Sequence, residues 1–138
     1  MFHLPALTHV KEVLRTAKTI AVVGFSPKTN RPSHLVGAYL IQAGFRVFPV
    51  NPGHREICGV TCYPDLASIP EPVDIVNIFR RSEEVLPVVE EAIAIRAKVI
   101  WMQQGIINHE AAILAENAGL VVIMDRCLKV DHAQLGPL

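Results

Sequence analysis

The chain reads as an α/β protein, a three-layer sandwich of Rossmann type built on a five-stranded parallel sheet. Short β-branched apolar runs alternate along its length with helical patterns of about 10–15 residues, which implies parallel strands joined by right-handed crossovers. A hydrophobic content of 51% against 19% charged residues suits a sheet covered on both faces. The first apolar run stops at Gly24 and passes through a polar turn into a helix opening at Pro32-Ser33. Strand, glycine turn and helix N-terminus together make an anion site, because unpaired N–H groups and the helix dipole converge there.

The elements follow in order. Leu7 to Thr16 forms an N-terminal helix, with apolar positions at Leu7, Val10, Val13 and Leu14. Ile20 to Val23 is the first strand. Ser33 N-caps the next helix, whose stripe of Leu35, Val36, Tyr39 and Leu40 runs until Gly44 ends it. Phe45 to Val50 is the second strand, followed by the Asn51-Pro52-Gly53-His54 turn and a loop from Ile57 to Tyr63. A helical turn near Asp65 to Ala67 leads past Pro70 and Pro72 into the third strand, Val73 to Phe79. Ser82 caps a helix through Ile95, with Glu83 and Glu84 placed well against the dipole of its first turn. Val99 to Met102 is the fourth strand, and Asn108 caps a helix through Asn117 that Ala118-Gly119 closes. Leu120 to Met124 is the fifth strand, and a short helix from Leu128 lies in the polar tail.

A length of 138 residues fits a single domain over 1–138. Such a domain buries roughly 70% of the surface its unfolded chain exposes. Thirteen basic and thirteen acidic residues cancel, so neither nucleic acid nor an anionic membrane is an expected partner, and any anion recognition is local. The apolar runs fall far short of the ~20 residues that span a bilayer. The opening Met1-Phe-His-Leu-Pro-Ala-Leu7 lacks a charged n-region and an apolar h-region, so no signal peptide is expected. Cys58, Cys62 and Cys127 make a poor disulfide framework, and a reducing cytoplasm with buried structural thiols is the expectation. Cys58 and Cys62 have no second ligand pair at zinc spacing, and the six histidines show no ligand-like spacing, so no metal is expected.

Ligands of open α/β sheets bind beyond the carboxyl ends of the strands. The residues there are Gly24-Phe25-Ser26, Val50-Asn51-Pro52, Phe79-Arg80-Arg81 and Gln103-Gln104-Gly105. Lys28 and Arg31 in the first turn point to a phosphate group. An ordinary dinucleotide coenzyme fits poorly: the turn is not Gly-x-Gly-x-x-Gly, and the second strand ends without an acid to take a ribose. The Walker pattern is also missing.

Five blocks in sequence carry a resemblance: Val23-Gly-Phe-Ser26 with Arg31-Pro-Ser33, Pro49-Val-Asn-Pro52, Asp74-Ile-Val-Asn-Ile-Phe-Arg-Arg-Ser82, Trp101-Met-Gln-Gln-Gly-Ile106 and Met124-Asp-Arg-Cys127. Between Thr19 and Lys129 the chain resembles the CoA-binding domain family. That family covers small stand-alone bacterial and archaeal proteins and the CoA-binding domain of the succinyl-CoA synthetase α subunit. The resemblance implies coenzyme A or an acyl-CoA as ligand, bound without catalysis by a sensor, carrier or regulatory subunit. On that reading Gly24, Phe25 and Ser26 present N–H and hydroxyl donors to the diphosphate in the Pro27 to Ser33 turn, and Lys28 and Arg31 neutralise it beside Pro32. Val50, Asn51 and Pro52 wall the adenine slot on one side and Phe79 on the other. Arg80 and Arg81 stack on the base or meet the 3′-phosphate. In the family the glycine turn after the fourth strand faces the pantetheine arm, which maps to Gln104 and Gly105.

Plainer roles compete at each position. Gly24 has the plainer reading of a strand-to-helix turn, Lys28 and Arg31 that of solvated charges, and Asn51-Pro52 that of turn formers. Phe79 suits the core, and Arg80 and Arg81 suit ion pairs with Glu83 or Glu84. Trp101 reads as core, and His34 as an exposed helix residue. Asp125-Arg126 reads as a local cap and pair. The synthetase resemblance brings a domain with a phosphorylatable histidine and an ATP-grasp partner, neither of which this sequence holds. Ser26 has no neighbouring histidine base, so no catalytic residue is assigned. Two other functions stay open: a CoA-binding subunit of a split acyl-CoA synthetase, or an NAD(P)-binding redox sensor or reductase. The expected partners are the small-molecule ligand and either a protein partner or a second copy of the chain.

Overall fold

A computed structural model describes residues 7–135. The expectation about a leader concerns residues 1–6, and with them His3, outside the described part. In chain order the elements are α1 (Leu7–Thr16), β1 (Thr19–Val23), α2 (Pro32–Gln42), β2 (Arg46–Val50), β3 (Glu56–Ile57), β4 (Val60–Thr61), β5 (Ile75–Ile78), α3 (Val85–Ala94), β6 (Val99–Met102), α4 (His109–Asn117), β7 (Val121–Ile123) and α5 (Leu128–Leu135). The main sheet has five strands, all parallel, in the order β2-β1-β5-β6-β7. The five-stranded parallel α/β sandwich is therefore the observed architecture.

Strand periodicity of two assigns the layers. Ala21, Val23, Val76, Ile78, Ile100 and Met102 pack against Val85, Val89 and Ala92 of α3 and Ala111, Ala112 and Ala115 of α4. The alternate residues Ile20, Val22, Ile75, Val99 and Trp101 pack against Val10, Val13 and Leu14 of α1, Val36 and Leu40 of α2, and Leu128 of α5. Trp101 is fully buried, and its Nε1 donates to the Arg126 carbonyl at 2.9 Å, so it is a core residue as read from the sequence. Among the described residues no helix is long and apolar enough to cross a membrane.

Several boundaries differ from the sequence reading for local reasons. Arg31 is the N-cap of α2 and Pro32 its first residue, because proline needs no N–H donor there and has φ already set. The Ser33 hydroxyl accepts instead from the Ser26 N–H at 2.9 Å. Ser82–Glu84 is a 3-10 turn, and α3 begins at Val85 with Pro87 in its first turn. The Ser82 hydroxyl is drawn away to accept from the Ile107 N–H at 3.0 Å. The helical turn after Asp65 is a 3-10 turn, Leu66–Ser68, capped by the Asp65 carboxylate. Asn108 caps α4 as expected, its Oδ1 accepting from the Ala111 N–H at 2.9 Å.

The stretch read as a loop from Ile57 to Tyr63 contains an antiparallel hairpin of β3 and β4. Its turn residues Cys58 and Gly59 both have positive φ, 55° and 76°, the conformation of a two-residue hairpin turn that matches strand twist. The segment then returns alongside β2, with the Tyr63 N–H donating to the Pro49 carbonyl and the Asn51 N–H to the Tyr63 carbonyl, both at 2.9 Å.

Asp74 pins the start of β1 to the start of β5. Its Oδ2 accepts from the Lys18 and Thr19 N–H groups at 2.8 and 3.2 Å, and Lys98 Nζ lies 3.5 Å from Oδ1. Burial alone would raise this carboxyl, but the two N–H donors and Lys98 outweigh it and hold its pKa below the ordinary value. The stabilisation is present above the unfolded carboxyl pKa, about 3.9, and is lost as pH falls through the depressed folded one. Asp74→Asn should be less stable at pH 7 and lose stability less steeply below about pH 4 than the parent. Denaturant titrations across that range test it, and identical acid limbs would refute it.

Candidate functional site

The strand order runs outward from β1 in both directions, to β2 on one side and β5 on the other, so the crevice at a doubly wound switch point opens between Gly24 and Phe79. Gly24 has φ +89°, and a Cβ there would stand 2.3 Å from the Phe79 carbonyl oxygen. The glycine is thus required by the exit of β5, whatever else approaches it.

A cleft of about 1050 Å³ opens at this point, just above the ~300–1,000 Å³ usual for small-molecule sites. Its walls bring together twelve of the residues singled out from the sequence: Gly24, Ser26, Pro27, Lys28, Arg31, Pro32 and Ser33 from the first turn, Asn51 from the second strand's exit, Phe79, Arg80 and Arg81 from the third, and Gln104. Four others fall elsewhere. The Phe25 ring is fully buried and wedged against Gly37 of α2. The Val50 side chain is 3% exposed and belongs to the core, so it does not wall the cleft. Pro52 is exposed on the far turn, and Gly105, with φ +87°, gives its N–H to Asp125 Oδ1 at 2.7 Å.

The turn also uses donors that the sequence reading offered to a ligand. The Gly24 N–H donates to the Val50 carbonyl at 2.9 Å and the Ser26 N–H to Ser33 Oγ. The Ser26 hydroxyl accepts from the Lys28 N–H at 3.1 Å, folding the loop back on itself. Asn51 braces two strand exits at once: its Nδ2 donates to the Phe25 carbonyl at 3.0 Å while its Oδ1 accepts from the Gly53 N–H at 3.2 Å.

Gln103, read from the sequence as lying at the exit of the fourth strand, also lines the cleft, as do Leu35, Val36, His54, Ile106, Cys127 and Lys129, which sequence reading missed. Leu35, Val36 and Ile106 supply apolar wall. Gln103 is 6% exposed and tied down, with its Oε1 accepting from Asn77 Nδ2 at 3.3 Å. Lys129 reaches the cleft from α5 and lies over the Tyr39 ring at 5.7 Å. Cys127 is half-buried in the wall and Cys58 is exposed in the hairpin turn, which corrects the expectation of buried thiols for both; Cys62 alone is buried.

Five cations, Lys28, Arg31, Arg80, Arg81 and Lys129, line the cleft, and no carboxylate does among the described residues. Arg81 is 79% exposed and its Nε lies 3.3 Å from Glu84, a weak surface pair. Arg80, by contrast, is half-buried and forms no ion pair among the described residues. Beside the cleft Arg126 pairs with the buried Asp131 through bonds of 2.6 and 2.9 Å, the local pair read from the sequence. His34, expected to be exposed, is half-buried, and its Nδ1 stands 2.8 Å from the Ser26 carbonyl.

A family profile described as CoA binding domain matches residues 18–133. The chain is 45% identical over 129 residues to the uncharacterized protein YneT of Bacillus subtilis, covering 94% of this chain and 96% of that one. It is 30% identical over 128 residues to acetate–CoA ligase [ADP-forming] I of Archaeoglobus fulgidus, covering 86% of this chain but 19% of the ligase. Among solved structures, a hypothetical protein from Pyrococcus horikoshii OT3 superposes with a TM-score of 0.92 at 36% identity, over 98% of this chain and 97% of that one.

Proposed function

This chain belongs to the CoA binding domain family, related to the CoA-binding part of ADP-forming acetate–CoA ligases, and we propose that it binds coenzyme A or an acyl-CoA in the cleft at the β1–β5 switch point. The observation that carries this reading is the set of five cations facing one cleft, with no carboxylate in its wall among the described residues, on a chain of zero net charge. Coenzyme A carries a diphosphate, a separate 3′-phosphate and a flat base, and so needs dispersed cations beside an apolar wall. Lys28 and Arg31 neutralise the diphosphate at the turn that Ser26 and Ser33 hold closed. Phe79 offers the face for adenine. Arg80, half-buried and unpaired among the described residues, takes the 3′-phosphate in preference to Arg81, which Glu84 already engages. Gln104 lies toward the pantetheine arm. No residue is assigned a chemical step, so the reading is binding without catalysis.

Calorimetry with coenzyme A, dephospho-CoA, NAD and NADP side by side tests it. Coenzyme A should bind most tightly, and a preference for either nicotinamide nucleotide would end the proposal. Arg31→Ala should weaken coenzyme A binding by about 1.5–3 kcal/mol, the worth of one charge-assisted contact. That corresponds to roughly a tenfold to hundredfold rise in Kd. Arg80→Ala should erase the difference between coenzyme A and dephospho-CoA, and a retained difference would remove Arg80 from that role.

The match to part of a ligase favours a second reading, a CoA-binding subunit of a split acyl-CoA synthetase. Acyl-CoA formation that depends on ATP or ADP and on a co-purifying second chain would support it, and coenzyme A binding that persists without any such activity would favour the sensor or carrier.

A further inference from the structure

Cys58 and His34 stand one hydrogen bond away from the cleft wall. Cys58 Sγ lies 3.4 Å from His34 Nε2, and His34 Nδ1 lies 2.8 Å from the carbonyl oxygen of Ser26, a cleft residue. A carbonyl only accepts, so Nδ1 carries the hydrogen and the neutral ring leaves Nε2 as an acceptor facing the thiol. The ring is held edge-on against Phe25, with centroids 5.6 Å apart at 86°. The thiol itself is exposed, on a hairpin turn that puts a non-glycine residue at φ 55°. An accessible nucleophile, a base within reach and a group that orients the base are the parts of an activated-thiol site.

We propose that Cys58 is a modification site for low-molecular-weight disulfides, with His34 as its base and the ligand turn at Ser26 as the element that senses the change. Partial burial pushes the thiol pKa up, so the resting Cys58 is a neutral thiol. The proton moves only when an electrophile arrives. His34 Nε2 takes it as Sγ attacks one sulfur of R–S–S–R′. A Cys58–S–S–R bond forms, the R–S–S–R′ bond breaks, and the leaving R′–S⁻ collects the proton from Nε2 and departs as R′–SH. Cys58 is oxidised, half of the incoming disulfide is reduced, and no further oxidant enters. The adduct has no S–H to donate, so His34 loses the contact on one side while its other nitrogen still holds the Ser26 carbonyl. Ligand affinity then changes through Ser26, a consequence that rests on the coenzyme A reading; the reactivity of Cys58 does not.

Incubation of the ligand-free protein with glutathione disulfide, with the adduct sites assigned by peptide mass spectrometry, tests the first step. Cys58 should react at least about tenfold faster than Cys127, and His34→Gln should slow Cys58 by about tenfold or more while leaving Cys127 unchanged. Equal Cys58 rates in the two proteins, or a Cys58 rate no faster than that of Cys127, would overturn the proposal. In the wild-type protein alone, Cys58 should react faster in the folded protein, where His34 is in place, than in the urea-unfolded chain at the same pH; an equal or slower rate in the folded protein would overturn the proposal whether or not the variant folds. Calorimetry with coenzyme A on modified and unmodified wild-type protein reads the second step, with an expected Kd shift of about fivefold or more. An unchanged Kd would overturn the coupling. Failure of the unmodified protein to bind coenzyme A would instead overturn the ligand assignment and leave the thiol result standing.

Discussion

Gly24→Ala should destabilise the fold by about 3 kcal/mol or more, the sum of two independent costs. The residue sits at φ +89°, where an L side chain is disfavoured by roughly 1–2 kcal/mol. The added methyl would also stand 2.3 Å from the Phe79 carbonyl oxygen, and relieving an overpacked contact of this kind costs about 1–3 kcal/mol. Backbone must shift to make room, since a carbonyl cannot swing aside as a side-chain end can. The shift falls at the junction of β1 and β5, where the N–H of Phe79 donates to the Val23 carbonyl at 2.9 Å. Urea denaturation should show the loss as a lower midpoint, and coenzyme A affinity measured on the folded fraction should fall as well. A variant as stable as the parent would mean that the turn is far softer than this geometry implies.

Gly37→Ala should also destabilise, by about 2 kcal/mol, although alanine is the better helix former by roughly 1 kcal/mol at an ordinary site. The reversal of sign comes from the Phe25 ring, whose Cε2 and Cζ would lie 2.1 and 2.4 Å from the new methyl. Phe25 is fully buried and cannot retreat toward solvent. The smaller side chain in Phe25→Leu should therefore recover much of the loss when the two changes are combined, a coupling that a double-mutant cycle reads directly. Additive costs would show that Gly37 and Phe25 do not bear on each other. The contact matters beyond stability because Phe25 sits inside the cleft turn, so the spacing between α2 and β1 sets the shape of that turn.

The sheet was legible from the sequence because its signal is local: Ile20 to Val23 and Val99 to Met102 are buried on both faces and read as unbroken apolar runs. The hairpin of β3 and β4 was not, since two residues on each side of Cys58-Gly59 leave no alternation to detect. Residue identity located the cleft but did not determine orientation within it. Asn51 and Phe79 follow strand ends and line the cleft, whereas Val50, one residue earlier than Asn51, falls on the core face. Ser33 has the chemistry of an N-cap, but Pro32 displaced the boundary and left its hydroxyl for Ser26. Lys129 and His34 illustrate a third limit. Their surroundings come from elements distant in sequence, α5 folding back over α2 and the hairpin closing on the first turn, and no spacing rule carries that information.

The clustering of positive groups has an effect beyond the cleft itself. With thirteen basic and thirteen acidic side chains in all, five of the basic ones gathered at one mouth leave eight basic against thirteen acidic elsewhere. The cleft entrance is therefore a local region of positive potential on a chain of no net charge. An approaching polyanion is drawn toward the opening, which speeds productive encounters at low ionic strength.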